Sequence, residues 1–106
     1  MSGGHFDYKE YWVKEIAQQV EEALDIHKNK YKGVYDYLQD CDDEAIKEIE
    51  EGAILLRKAY RFAYNVDRLL SGDSGPESVL EDYKEDCENI DKGDYEKGRY
   101  YTEDGE

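Results

Sequence analysis

Residues 53–78 read AILLRKAYRFAYNVDRLLSGDSGPES, and this stretch decides the fold. Ala53, Leu56, Tyr60, Ala63, Asp67 and Leu70 continue a row begun by Ile46 and Ile49, with spacings of three and four that predict a helix. Asp42 or Asp43 offers an N-cap, so this helix runs over residues 43–70. A second row, Leu55, Ala59, Phe62, Val66 and Leu69, flanks the first. A helix apolar on two sides belongs in the middle of the fold or in an oligomer interface. Gly72 then stops it, and Ser74 with Glu77 forms a capping box ahead of Pro76 in the first turn of a third helix over 76–90, carried by Val79, Leu80, Tyr83, Cys87 and Ile90.

Toward the amino terminus, Val13, Ile16, Ala17, Val20, Ala23, Leu24 and His27 give a first helix over about 8–28, with Asp7 as its cap and Glu10 completing a box-like pair. His27 closes the stripe as a helix-end residue beside the last carbonyls, and Lys28, Lys30 and Lys32 suit the same terminus. Between the first two helices, Tyr31, Val34, Tyr35 and Leu38 suggest a short extra helix near 31–38, weakened by Gly33. The segment from 91 to 106 has no apolar period and reads as a disordered or loosely attached acidic tail. The expected architecture is an all-α bundle of three main helices in one domain, residues 1–90, followed by that tail.

A chain of 106 residues supports one modest core. It contains no apolar run approaching the roughly 20 residues of a membrane span and no signal-peptide core, so a cytoplasmic protein without a membrane partner is expected. Cys41 and Cys87 stand far apart and outside any zinc or disulfide spacing, and read as plain thiols. Met1-Ser2 does not give the glycine that myristoylation needs. Two separated histidines, no nucleophile motif and no metal spacing argue for a non-enzyme with no cofactor and no metal.

The formal net charge is −14, and it is concentrated. Residues 36–51 hold eight acids and one lysine, and residues 81–106 hold eleven acids and four bases. By contrast, residues 53–78 carry Arg57, Lys58, Arg61 and Arg68 against Asp67, Asp73 and Glu77. Arg57, Arg61, Asn65 and Arg68 follow one another at four, four and three, along one edge of the helix. Two readings stay open: these cations pair with carboxylates of the other helices, or they grip an anion, since guanidinium matches phosphate oxygens two at a time. In the second reading Tyr60 or Tyr64 stacks on a base, Ser71-Gly72 and Gly3-Gly4 turn backbone amides toward the anion, and His5, Phe6 or Tyr8 adds a hydrogen bond or a stacking face.

The opening SGGHFDY, the central LLRKAYRFAYNVDRLLSGD and the following GPES resemble a widespread family of small phage and prophage proteins. The match covers about the first 28 residues and residues 53–80. Where that family usually has a second acid after Ser-Gly-Asp, this chain has Ser74. Some small helical phage proteins are sponges for the cyclic nucleotide signals of bacterial defence, the anti-CBASS type among them. The resemblance and the cation strip together imply an immune-evasion protein that binds a cyclic nucleotide without cleaving it. Its ligand residues are then Gly3, Gly4, His5, Phe6, Tyr8, Arg57, Arg61, Tyr64, Arg68, Ser71 and Gly72. The alternative is an acidic nucleic-acid mimic, or another protein-binding inhibitor, aimed at a host restriction or CRISPR system. In neither case is nucleic acid itself a partner, and the second apolar row implies a homodimer or tetramer.

Overall fold

The computed structural model describes residues 6–94. Three helices make up the fold: α1, Glu10–Asn29; α2, Asp43–Leu70; and α3, Pro76–Asp91. The all-α expectation holds, and α2 has the expected limits. Residues 31–38 form turns and no helix, because Gly33 takes a φ of 79°, where a helix cannot continue. Gly3, Gly4, His5 and nearly all of the acidic tail lie outside the described residues.

Both flanking helices run antiparallel to α2. Along α1, Phe6 meets Asp67, Tyr11 meets Tyr60 and Glu21 meets Arg57. Along α3, Asp82 meets Arg68, Asp86 meets Arg61 and Asp91 meets Lys58. Helices α1 and α3 pack on α2 and not on each other, which leaves a groove between them over the arginine edge of α2. The core is correspondingly thin: Ala17, Ile26, Ala53, Tyr60, Val79 and Ile90 are its buried apolar residues among those described.

The helix ends explain the differences in detail. Asp42 caps α2 as expected, its carboxylate accepting the Ala45 amide at 2.8 Å. Asp7 does not cap α1: it and Tyr8 adopt left-handed backbone, with φ of 57° and 65°, and the helix starts two residues later than expected, behind Lys9. The reason is tertiary, since the Phe6 amide is held by Asp67 Oδ1 at 2.8 Å and the chain must bend sharply to enter α1 from there. The same bond accounts for an acid in the apolar row of α2. Nor does the Ser74–Glu77 capping box form. Gly75 takes the N-cap position of α3, and the Ser74 hydroxyl accepts from Arg68 Nη2 at 2.8 Å instead. Gly72, at φ 81°, ends α2 in a Schellman turn, with the Asp73 amide bonded back to the Arg68 carbonyl.

Beyond α1, His27 Nδ1 lies 2.8 Å from Asp36 Oδ2, so the imidazole engages the connecting segment. Lys30 and the Leu38 amide bond the same carboxylate. Burial would raise the Asp36 pKa, but these donors outweigh it and hold the carboxyl down at about 2.

The candidate cleft between the three helices

All four cations of residues 53–78 are paired with carboxylates from the neighbouring helices. Arg57 donates through Nε and Nη2 to the two oxygens of Glu21, both at 2.7 Å, and its side chain is only 4 % exposed. Such a parallel two-bond pair is the strongest form of this contact. Arg61 Nε reaches Asp86 at 2.9 Å, and Lys58 reaches Asp91 at 2.8 Å. The hydrogen bond that Lys58 donates to Asp91 raises the Lys58 pKa. Arg68 donates to Asp82 at 2.9 Å and to Asn65 Oδ1 at 3.1 Å. The fully buried Asn65 links these pairs, since its Nδ2 donates to Asp86 at 2.9 Å. Helix α3 is therefore attached to α2 by a polar chain running Arg61, Asp86, Asn65, Arg68, Asp82.

The groove over this edge opens into a cleft of about 300 Å³. Arg57, Tyr60 and Arg61 form its floor, Lys14 of α1 one wall, and Asp86, Asn89, Ile90 and Asp94 the other. Lys14 Nζ sits 5.7 Å from the centre of the Tyr60 ring and has no carboxylate partner within ion-pair distance among the described residues. Arg61 lies over Tyr64, 4.2 Å from the ring centre, and 5.6 Å from that of Tyr60. Desolvation raises the Tyr60 pKa, and Tyr11 adds to it, so the phenol stays neutral.

Of the residues expected to bind ligand, the structure brings Arg57 and Arg61 into the cleft, with Tyr64 beneath Arg61. Arg68 is directed to the turn before α3, away from the cleft lining. Phe6 docks at the carboxyl end of α2 through Asp67, while Tyr8 is exposed. Ser71 Oγ is buried without a hydrogen-bond partner, and Gly72 serves the Schellman turn. Sequence reasoning missed Lys14 and Asn89. Lys14 has a faint signal, standing seven residues before Glu21 and so on the same face of α1.

Among the described residues, no group of three His, Cys, Asp or Glu is placed to hold a metal ion, and no helix is long and apolar enough to cross a membrane. No protein-family model matches the sequence, and no curated protein or solved structure matches it either.

Proposed function

We propose that the protein binds a cyclic nucleotide in the three-helix cleft and sequesters it without cleaving it, as a phage-type immune-evasion sponge. The observation that carries this reading is Lys14: an ammonium on the cleft wall without a carboxylate, opposite Asn89 and beside Arg61, whose Nε alone is committed to Asp86. A phosphate seated between Lys14 and Arg61 gains two cationic donors without breaking the buried Arg57–Glu21 pair. Tyr60, largely buried on the cleft floor, offers the neighbouring base an aromatic contact where its ring lines the cleft. At about 300 Å³ the cleft is at the small end of ligand sites, which suits one nucleotide unit held inside and the rest of a larger ring outside.

Binding of cyclic di- and trinucleotides, followed by calorimetry and by the rise in melting temperature, tests this. Lys14→Ala weakens binding about tenfold or more while the free protein melts as before, because Lys14 has no ion pair to lose. Chromatography of the released ligand returns it intact. No shift with any member of the panel, or equal binding by Lys14→Ala, refutes the reading and promotes a second one. That second reading, an acidic mimic or protein-binding inhibitor, is favoured by the outer side of α3, where Glu77, Glu81, Glu85 and Glu88 are all exposed.

The protein works in this reading as a homo-oligomer. Tyr8, Tyr11, Trp12 and Ile16 are 42 to 66 % exposed on one side of the α1 region. With about 150–250 Å² per large side chain, they leave roughly 450 Å² bare per copy. Pairing two such faces covers roughly 900 Å² before any polar rim is counted, close to the approximately 1,000 Å² of a stable interface. On α2, Leu55 and Phe62 are also exposed: α3 ends opposite Lys58, short of Leu55, and meets Phe62 through the Tyr83 ring while leaving about half of it bare. A second apolar face of this kind extends a dimer to a tetramer.

A further inference from the structure

A separate cavity of about 430 Å³ lies at the bend leading into α1, lined by Phe6, Asp7, Lys9, Glu10, Val13 and Ala63. Its most unusual wall is Glu10, a carboxylate residue only 6 % exposed, whose Oε1 is buried without a hydrogen-bond partner. Leaving such a group unmatched is costly, so buried carboxylates normally find a donor. The amides of Lys9, Tyr11 and Trp12 are already used, bonding the carbonyls of Phe6, Tyr8 and Lys9. Lys9 makes no ion pair with it. Among the described residues, no donor completes the site.

We propose that this cavity binds a primary ammonium carried on a small apolar or aromatic body. The ammonium donates to Glu10, Asp7 adds a second negative charge at the rim, and the body rests on Phe6, Val13 and Ala63. An ammonium beside an aromatic face gains further attraction from the ring, and the protein's net charge of −14 draws small cations toward it. The site does not depend on the cleft between the three helices, since the two share no lining residue.

Titration of the full-length protein with phenethylammonium, and with 2-phenylethanol as the neutral comparator of nearly the same shape, tests this by calorimetry and by the carboxyl ¹³C resonance of Glu10. The ammonium binds in the millimolar range or tighter and moves the Glu10 resonance, while the alcohol binds at least about tenfold more weakly, as expected for a hydrogen bond to a charged group. Glu10→Gln, which keeps the shape, loses that preference. Lys9→Met strengthens binding, because a cation lining the cavity is gone. Equal affinity for amine and alcohol, or a Glu10 resonance that stays put at saturation, overturns the proposal.

Discussion

Replacing Arg57 separates a structural cation from a ligand-binding one. Its guanidinium makes two bonds of 2.7 Å to Glu21, and the two side chains are 4 % and 9 % exposed. Removing one partner of so buried a pair strands the other charge, which typically costs about 3–5 kcal/mol. In a domain of this size each kcal/mol moves the melting temperature by about 4–8 °C. Arg57→Ala therefore loses a large part of a total stability on the order of 5–15 kcal/mol. Arg61, with one bond to Asp86 and side chains 31 % and 23 % exposed, is screened by water, and Arg61→Ala costs about 1 kcal/mol or less.

The double variant Arg57→Leu with Glu21→Leu makes the reasoning sharper. With both charges gone, nothing is left unmatched, and apolar replacements of buried pairs are often neutral or stabilising. The double variant should be far closer to the parent than Arg57→Ala is. Urea denaturation followed by far-ultraviolet circular dichroism measures all four proteins, with Glu21→Gln as a milder single change. If Arg57→Ala falls within about 1 kcal/mol of the parent, or the double variant is as unstable as the single one, the pair is not the clamp described.

Three further outcomes are expected. The Asp36 carboxyl titrates near 2 in the folded protein, below its ordinary 3.8, so its contribution to stability is complete above the ordinary value and is lost as pH falls from there through about 2; a ¹³C titration checks this, and Lys30→Met moves the midpoint up. Asp67→Ala removes the acceptor of the Phe6 amide and costs about 1–3 kcal/mol, with hydrogen exchange at Phe6 becoming fast; unchanged protection refutes the role given to that bond. Light scattering at micromolar concentration gives a mass of two or four times 12.4 kDa, and Trp12→Glu halves it or reduces it to the monomer; a parent mass near 12.4 kDa refutes the oligomer.

What the sequence reveals depends on how local the cause is. Helix α2 was legible to its ends because eight positions keep one period and Asp42 caps it through a bond three residues away. The start of α1 was not, because Asp7 and Tyr8 are bent by a bond from Phe6 to Asp67, sixty-one residues along the chain. The failed capping box has the same origin, as Arg68 claims the Ser74 hydroxyl from the preceding helix.

The arginine edge shows the limit for function. The spacing of Arg57, Arg61 and Arg68 places them together on the helix circumference, and the structure confirms a single edge. That edge lies under a groove, however, so a long side chain can lean either way: Arg57 goes to α1, and Arg61 and Arg68 go to α3. Choosing between carboxylate pairing and anion binding required the register of α1 and α3 against α2, which no pattern within one helix contains. That register also gives the acidic composition part of its meaning. Glu21, Asp82, Asp86 and Asp91 are matched to the cations of α2 and hold the helices together, so their charge is largely offset, while Asp94 on the cleft wall has no ion-pair partner among the described residues. Of the cations that line the cleft, Lys14 is the one without a carboxylate partner among the described residues, and a residue whose importance consists in lacking a partner becomes visible only once its neighbours' partners are known.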